Sequence, residues 1–463
     1  MKYVGNKVED LKIAYIGGGS RQWARVLMRD LALTDDLSGE VRLYDIDYDA
    51  ALLNEKIGNA VSTYEDAKSE WKWKAYKTLE EALTGADFVF ISIIPGTFDE
   101  MESDVHTPEK YGIYQSVGDT TGPGGIVRAL RAIPMIEKIA LAVKACCPDA
   151  WVINYSNPMS IFTRTLYAVW PEIKAFGCCH EVFAVQKLLV RALRECRGIE
   201  GVDRTEIKTR VMGVNHFTWF TEAKYRNIDL FEVWEEFLAK YEKDGVLDGR
   251  DDNWINRHFE CAHKVKFDLY KKFGYIAAAG DRHLAEFCPL DWYLSSPERV
   301  YNWKFSLTPV SWRRKNLEEA NAETVKLANG ESKLKLTPSG EEAIDQMRAL
   351  LGLRDLVTNV NLPNRGQIPN LPLGVCVETN AAFTTDCVTP VASGDLPASI
   401  YPLVARVAGV QEATVKAGLA RDLDLGFAAF LSDPLVRIPQ EDAKKLYDEM
   451  IDNTKHYLTE YFK

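Results

Sequence analysis

The sequence has no uninterrupted apolar run of about 18 residues, the length that a membrane-spanning helix requires. Its first residues, MKYVGNKVEDLKIAYIGGG, also lack the apolar segment and small-residue cleavage site of a secretory signal. Basic side chains are outnumbered: 56 Lys and Arg stand against 67 Asp and Glu, and the net charge is −11. Nucleic acids and anionic membranes need a basic surface, so we expect neither as the main partner.

A disulfide framework is also absent. The chain has nine cysteines, an odd number without compact spacing. Two pairs are adjacent in sequence, Cys146–Cys147 and Cys178–Cys179, and neighbouring cysteines bridge each other poorly. Free thiols in a chain of this length are typical of a cytoplasmic protein, and we expect that location.

The sequence does contain an alternation of strand-like and helix-like segments. Apolar runs that stop at glycine, asparagine or an acid predict five strands, LKIAYIGGG, VRLYDID, FVFISIIPG, AWVINYSNP and IKAFGCC. Helical segments such as GIVRALRAIPMIEKIALAVKAC lie between them. This order predicts an α/β fold with a Rossmann-type doubly wound parallel sheet.

The pattern changes near residue 200. TRVMGVNHFTWFTEA favours antiparallel strands, and helices such as LFEVWEEFLAKY become frequent. We therefore predict two domains. Residues 1–200 would form a nucleotide-binding domain, and residues 201–463 an α+β domain for substrate, metal and oligomer contacts.

A glycine-rich turn follows the first predicted strand. Gly17, Gly18 and Gly19 lead into a helix predicted to start at Ser20, where backbone N–H groups could approach a pyrophosphate. The fingerprint is incomplete, and a tight connection would explain the glycines equally well. Asp45, at the end of the second strand, suits the ribose hydroxyls of NAD and would repel the phosphate of NADP. Together these residues predict an NAD site.

Three more loops follow strands at the edge where open parallel sheets bind ligands. The first, beginning PGTFDEM, runs for about thirty residues with little periodicity and is typical of a lid or binding loop. The second contains Asn154 and Asn157 before a helix near Pro158, where simple helix capping would also explain an asparagine. The third contains Cys179 and His180.

A thiolate and an imidazole are ligands for zinc, manganese, iron or nickel. Cys179 with His216 of GVNH would form an open metal site that water or substrate completes. Taken alone, a buried free cysteine and a hydrogen-bonded histidine explain the two residues as well. GDRHLAEF, which contains Asp281, is likewise compatible with a catalytic cluster or with a solvated helix face.

The motifs YIGGGS, LYDID, TTGPGG, NYSNP, CCHEV, GVNH and GDRHLAEF occur in the order expected of family 4 of the glycoside hydrolases. The sequence resembles that family from about residue 11 to about residue 372. The resemblance implies a fold similar to the lactate and malate dehydrogenases, including their C-terminal domain. It also implies tightly held NAD, a divalent metal that is usually Mn²⁺, a small carbohydrate substrate, and a homodimer or homotetramer.

The resemblance further implies cleavage by oxidation and elimination, outside the two-carboxylate scheme of most glycosidases. NAD takes a hydride from C3, the metal stabilises the enediolate, and a base removes the C2 proton so that the C1 substituent leaves. Water then adds at C1 and the hydride returns. By motif, Cys179 and His216 would hold the metal and Asn157 would bind sugar hydroxyls. Asp281 would be the base, although other branches use a tyrosine near that point, and His180 would be the acid or would orient the metal.

The Cys-His-Glu-Val form resembles the α-galacturonidase branch, so we expect exo-cleavage of α-galacturonides from pectin fragments. The same chemistry on an α-glucuronide, α-galactoside or α-glucoside is the alternative. Glu181 would repel a phosphate dianion if it faced C6 of the sugar. A uronate needs a guanidinium fork, and Arg131 and Arg282 are the preferred candidates, with Arg128 and Arg299 also available.

Two other classes fit less well. A 2-hydroxy-acid dehydrogenase would need neither a metal nor a cysteine ligand, and CCHEV with GVNH disfavours it. A non-catalytic NAD sensor would need no proton-transfer groups, and Cys179 together with Asp281 disfavours that class. Removing the metal would separate the dehydrogenase from the glycosidase.

Overall fold

The computed structural model describes residues 1–249, 254 and 257–463. The strands in these ranges are β1 (Lys2–Val4), β2 (Lys7–Ile16), β3 (Leu37–Tyr44), β4 (Trp71–Tyr76), β5 (Phe88–Ile91), β6 (Trp151–Asn154), β7 (Ala175–Gly177), β8 (Lys208–Val214), β9 (Phe217–Tyr225), β10 (Ile228–Asp229), β11 (Ile276–Ala277), β12 (Leu356–Pro363), β13 (Cys376–Thr384) and β14 (Cys387–Pro390). The helices are α1 (Trp23–Ala32), α2 (Tyr48–Val61), α3 (Leu79–Leu83), α4 (Phe98–His106), α5 (Gly122–Cys146), α6 (Met159–Val169), α7 (Glu181–Arg197), α8 (Leu230–Tyr241), α9 (Lys264–Phe273), α10 (Asp281–Glu286), α11 (Leu290–Tyr293), α12 (Pro297–Asn302), α13 (Val310–Ala328), α14 (Ala343–Leu350), α15 (Tyr401–Ala420), α16 (Leu423–Ser432) and α17 (Gln440–Asn453).

Six parallel strands form the centre of the larger sheet, in the order β4-β3-β2-β5-β6-β7. Numbered by their place in the chain, these strands follow the 3-2-1-4-5-6 order of a Rossmann fold. The predicted doubly wound parallel sheet is therefore confirmed.

The central strands are continuous apolar runs because helices cover both faces of the sheet. All four residues of β5, FVFI, are buried. Helices α1 and α2 contribute to the core on one face, and α5 and α6 to the core on the other. This arrangement leaves the loops at the carboxyl ends of the strands as the accessible edge.

One edge strand, β4, was not among the five predicted strands. Its sequence WKWKAY alternates between buried tryptophans and exposed lysines. Such alternation is typical of a strand with one solvated face. Because β4 contains no continuous apolar run, its sequence lacks the signal that identifies the central strands.

The larger sheet also receives strands from the C-terminal half. β12 pairs antiparallel with β7 through Asn361 and Gly177, and β13 and β14 follow outward. Helix α14 packs into the same core as α1 and α2. The sheet thus takes strands from both sides of residue 200, and the separate roles of residues 1–200 and 201–463 stay a prediction.

The smaller sheet contains β8 to β11, with β9 between β10 and β11 and with β8 paired to β9. The antiparallel pairing of β8 and β9 is the one that TRVMGVNHFTWFTEA predicted. Only Asn215 and His216 connect the two strands. His216 has a φ of +63°, a left-handed conformation that costs a non-glycine residue about 1–2 kcal/mol.

The segment after β5, expected to be an irregular lid or binding loop, contains helix α4. Thr97 caps this helix, and the Glu100 side chain accepts a hydrogen bond from the backbone N–H of Thr97, at 2.6 Å. A capping box of this kind marks the start of a helix in the sequence. The segment has little apolar periodicity, so the helix is not evident from its hydrophobic pattern. The irregular remainder leads through Asp119 into α5.

The longest helix of the described residues is α5, with 25 residues. It carries Arg128 and Arg131 in its first half. Across the described ranges, no helix combines the length and apolar character needed to cross a bilayer.

Candidate active site

The glycine-rich turn after β2 leaves no room for side chains. Gly17 has a φ of +93°, and a Cβ there would lie 2.0 Å from the carbonyl oxygen of Ser92. The Gly19 N–H donates to Oδ2 of Asp45 at 2.8 Å, while Asn54 donates to the carbonyl oxygens of Gly18 and Ser20. The predicted nucleotide residues Gly17–Ser20 and Asp45 thus form one compact turn.

Helix α1 begins at Trp23 rather than at Ser20. The Ser20 hydroxyl oxygen accepts the Trp23 N–H at 3.0 Å, so Ser20 caps the first turn. Ile46, directly after Asp45, is 92% exposed at the end of the neighbouring strand. The turn therefore places an acid and an apolar surface beside the N-terminus of α1.

His180 lies just before α7 and joins the nucleotide side to the pocket. Its ring stacks on Trp23 at 5.8 Å, and its Nδ1 is 3.1 Å from Oε1 of Glu341. The hydrogen bond with Glu341 raises the pKa of His180, and burial opposes that effect. A half-exposed imidazole with a raised pKa is a suitable proton donor near neutral pH.

The centre of the pocket holds a group of side chains that could bind a metal. Ligand atoms of Asp119, His216 and His283 lie within 4.8 Å of one another. The two imidazole rings are 3.8 Å apart. Thr120 orients the group, since its hydroxyl donates to Oδ1 of Asp119 at 2.7 Å and lies 3.0 Å from Nδ1 of His216.

The charge states in this group suit a divalent cation. Burial and the nearby His283 lower the pKa of His216 to about 3, so its ring is neutral. Burial opposes ionisation of Asp119, but Arg128, His283 and His216 outweigh it and hold the pKa at about 2. A carboxylate and neutral imidazoles are the protonation states that metal binding requires.

Cys179 is buried beyond the end of β7, next to the turn that carries His216. Burial, followed by the charges of Glu378 and Glu181, raises the pKa of the thiol. Glu378 on β13 accepts hydrogen bonds from Asn215 at 3.2 Å and Asn359 at 2.7 Å. Asn215 therefore links the Cys179 side of the pocket to the His216 side.

Cys178, by contrast, faces the core on the opposite side of the strand. The Gln346 side chain donates to its sulfur at 3.3 Å. It belongs to the core cluster that α1 and α14 share. Of the two adjacent cysteines, only Cys179 lies on the pocket side.

Glu181, at the first position of α7, faces the histidine group. Its Oε1 lies 3.9 Å from Nε2 of His283, and its Oε2 accepts the Gly280 N–H at 2.6 Å. Burial opposes ionisation, but His283, His216 and His180 hold the pKa of Glu181 at about 2. A fixed negative charge at this position disfavours a second anion beside it.

Asn157 joins the same pocket from the loop after β6. Its Nδ2 lies 3.4 Å from Oδ2 of Asp119, and its carbonyl oxygen accepts a hydrogen bond from Nε of Arg128. Its Oδ1 is buried and has no partner among the described residues. A buried acceptor without a donor calls for a ligand group that donates, such as a sugar hydroxyl.

Asp281 lies at the start of α10, two residues before His283, and its ligand atoms group with those of Cys261 and His263. It is fully buried and accepts the backbone N–H groups of Val265 and Lys266 at 3.0 and 3.3 Å. Lys266 Nζ is 3.6 Å away, and the ligand atoms of Cys261 and His263 lie close by. In this position Asp281 caps α9, and its predicted role as base stays a prediction.

The two arginines preferred as carboxylate receptors are already engaged. Both terminal nitrogens of Arg131 donate to Asp104, and its Nε donates to the carbonyl oxygen of Pro95 at 2.9 Å. Arg282 donates to backbone oxygens of Ser116 and Ser306 and to the Thr308 hydroxyl. Arg131 and Arg282 thus each use three hydrogen bonds to hold other parts of the protein, and the Arg131 fork faces Asp104 rather than the pocket.

Sequence reasoning named His216 but missed the partners around it. Asp119 directly precedes the motif TTGPGG and His283 lies within GDRHLAEF, so a local signal for both exists. Glu378 had none, because it is one residue of an ordinary strand. Asp119 and His283 are brought to His216 only by the meeting of α5, α10 and the β8–β9 turn.

The fold and the pocket together define a Rossmann-type α/β protein with a metal-capable acid–base site beyond the carboxyl ends of its strands. The family 4 glycosyl hydrolase model matches residues 12–195, and the model of that family's C-terminal domain matches residues 211–436. The chain belongs to family 4 of the glycosyl hydrolases.

Three similar proteins illustrate this membership. The α-galacturonidase of Thermoanaerobacterium saccharolyticum is 59% identical over 99% of this chain and 98% of its own length. A Bacillus subtilis crystal structure described as a "putative glucosidase" is 51% identical, with a TM-score of 0.91, over 96% of this chain and 100% of the other. A 6-phospho-α-glucosidase from gut microorganisms, solved with NAD and Mn²⁺, shares the fold at 19% identity, with a TM-score of 0.81 over 97% and 99% of the two chains.

Proposed function

We propose that this enzyme hydrolyses α-galacturonides. The observation that carries the proposal is the 59% identity to an α-galacturonidase over nearly the full length of both chains. The fixed charge of Glu181 beside the pocket disfavours a 6-phosphorylated sugar, whose dianion it would repel more strongly than the single charge of a uronate. The substrate would be an unphosphorylated uronide.

The residues of the glycine-rich turn fit NAD. A cofactor can approach the backbone closely only at positions without a Cβ. Gly17 is such a position, because a Cβ there would collide with Ser92. The turn lies at the N-terminus of α1, whose dipole favours a pyrophosphate, and Asp45, which accepts the Gly19 N–H, lies where a ribose would be. Gly17, Gly18, Gly19, Ser20 and Asp45 would hold the cofactor.

The residues of the pocket also fit a divalent cation such as Mn²⁺. Carboxylate and imidazole ligands suit manganese, and Asp119, His216 and His283 provide them. We propose His216 and Cys179 as ligands, with Asp119 and His283 completing the donor set. When bound, NAD supplies a hydride acceptor for C3 of the sugar, and the cation supplies Lewis acidity to the neighbouring oxygens.

The chain's own side chains would perform the remaining steps. Asn157 would accept a hydrogen bond from a sugar hydroxyl through its unpartnered Oδ1. Asp281 would take the proton from C2, since burial raises the pKa of its carboxyl and strengthens it as a base, although Lys266 opposes the shift. His180 would give a proton to the departing C1 substituent.

The test is the release of nitrophenol from p-nitrophenyl α-galacturonide in thiol-reducing buffer, with NAD and Mn²⁺ withheld one at a time. We expect turnover only when both are present, because oxidation at C3 needs NAD and removal of the C2 proton needs the cation. Turnover that survives dialysis and a chelator would contradict the cofactor assignment.

An α-glucoside is the second candidate substrate, because the 51% identical Bacillus subtilis structure carries the description "putative glucosidase". The same assay with p-nitrophenyl α-glucoside compares the two. A higher kcat/KM on the glucoside would keep the mechanism and discard the galacturonide.

A further inference from the structure

Three arginines beside the pocket lack an anionic partner among the residues that the structure describes. Arg128 and Arg282 are 4% and 6% exposed, and Arg313 is half-buried. None of the three forms an ion pair with a carboxylate of the described residues; the hydrogen bonds of Arg128 and Arg282 go to backbone oxygens and one hydroxyl. Burying a guanidinium without a counter-charge is costly. A site that keeps several such groups together is suited to an incoming anion.

The three side chains converge on one side of the pocket. The guanidinium carbons of Arg282 and Arg313 lie 4.8 and 5.4 Å from the ring centroid of Phe259. Arg128 holds the loop of Asn157, whose amide contacts Asp119. Asp119, which contacts Asn157, acts electrostatically on all three arginines, so they lie around the same end of the pocket.

Asp119 does not neutralise this group. Its charge reaches Arg128 and Arg313, but it contacts neither at ion-pair distance among the described contacts. Its own oxygens interact with Thr120 and Asn157, and it belongs to the metal-capable group. Glu286 acts on Arg282 and Arg313, Glu181 on Arg282, and Asp104 on Arg128, but none of these carboxylates contacts its arginine at ion-pair distance among the described residues. The three cations therefore face the pocket without a directly paired carboxylate in the described part of the chain.

Among these arginines, Arg313 has the most donors to offer. Arg282 donates hydrogen bonds to Ser116, Ser306 and Thr308. Nε of Arg128 donates to the carbonyl oxygen of Asn157. No described residue accepts a hydrogen bond from Arg313, and its Nε is buried without a partner. Nε with one terminal nitrogen is the pair that a guanidinium uses to bind a carboxylate through two parallel hydrogen bonds.

We propose that Arg313, assisted by Arg128, is the receptor for the C6 carboxylate of the substrate. This assignment rests on the proposed α-galacturonide specificity and gives it a physical cause. A galactoside has a neutral hydroxymethyl group at C6, so it would leave the guanidinium unpaired. Arg313 would therefore select the uronide without taking part in bond cleavage.

The experiment compares Arg313→Met with the wild-type holoenzyme on p-nitrophenyl α-galacturonide and p-nitrophenyl α-galactoside. We expect kcat/KM on the galacturonide to fall by about 10- to 100-fold, mainly through KM, as for a lost charge-assisted pair. The galactoside value should stay within about 3-fold. Arg314→Met is the matched control, because Arg314 is the next residue of α13 and pairs instead with Asp99 at 2.7 Å; it should leave both values unchanged.

Calorimetric titration with free galacturonate, galactose and galactose 6-phosphate separates binding from turnover. Arg313→Met should weaken galacturonate binding and leave galactose binding unchanged. Arg313→Lys, which keeps the charge but not the fork, should lie between wild type and methionine, and it guards against misfolding of the methionine variant. Equal losses on both substrates, no loss on the galacturonide, or preferential binding of the 6-phosphate would each overturn the assignment.

Failure of the proposed function gives a different result. If the wild type does not cleave the galacturonide but binds galacturonate through Arg313, the result supports Arg313 as the carboxylate receptor and contradicts the proposed reaction. If the wild type cleaves the galacturonide and Arg313→Met cleaves it equally well, the result supports the proposed reaction and contradicts the assignment of Arg313 as the receptor.

Discussion

Replacing His216 with glycine is expected to weaken Mn²⁺ binding and turnover by at least about 100-fold, the upper end of the loss seen when a residue only supports a ligand. His216 contributes its ring to the group with Asp119 and His283. Glycine adopts the left-handed conformation of this position, φ +63°, without strain, so the backbone of the turn is kept. Electron paramagnetic resonance of free Mn²⁺ measures the affinity, and quenching of protein fluorescence by NAD checks that the nucleotide end is intact.

The two adjacent cysteines provide the matched comparison in the same assays. Cys179→Ser should lose metal-dependent turnover and keep NAD binding, because serine removes the proposed thiolate ligand. Cys178→Ser should behave as wild type, since its sulfur contacts Gln346 in the core and not the pocket. Normal Mn²⁺ affinity in His216→Gly would refute the proposed metal site. Retained turnover in Cys179→Ser would show only that the Cys179 thiolate is not one of the metal ligands.

The parts of the fold that the sequence predicts are those with local signals. Each central strand is a continuous apolar run that ends at a glycine, an asparagine or an acid, and all five predicted runs lie in the parallel sheet. The pairing of β12 with β7 has no such signal. It joins Asn361 to Gly177, residues far apart in the chain, and depends on the whole C-terminal half folding back.

The candidate site shows the same division between local and tertiary information. Gly17, Asp45, Asn157, Cys179 and His216 were recognisable because each follows a strand or fills a two-residue turn. The topology of the parallel sheet brings the first four to the same edge, whereas His216 lies in the β8–β9 turn of the smaller sheet and joins them only through tertiary packing.

Arg313 was not recognisable from its surroundings in the sequence. Helix α13, VSWRRKNLEEANAETVKLA, is rich in charged residues, and this composition predicts a solvent-exposed surface helix. Only the packing of its first turn against the pocket turns one of its two adjacent arginines inward. Neighbouring Arg314 meets Asp99 and Glu102 instead.

Arg131 is the residue for which sequence and structure lead to different expectations, and replacing it with methionine decides between them. Arg131 and Asp104 are both fully buried and joined by two hydrogen bonds. Losing the arginine would leave the Asp104 carboxylate buried and uncompensated, which typically costs about 3–5 kcal/mol. We expect the free energy of unfolding in urea to fall by that amount.

Two comparisons identify the cause of this loss. Arg164→Met removes a similar two-hydrogen-bond pair with Glu412 that is partly exposed, so it should cost about 1 kcal/mol or less. The double variant Arg131→Met with Asp104→Leu should recover most of the stability, because no unpaired charge remains in the core. The folded fraction of Arg131→Met should keep the wild-type KM for the galacturonide, since both terminal nitrogens of Arg131 are committed to Asp104. Unchanged stability with a raised KM would instead make Arg131 the substrate residue that its position in the sequence suggested.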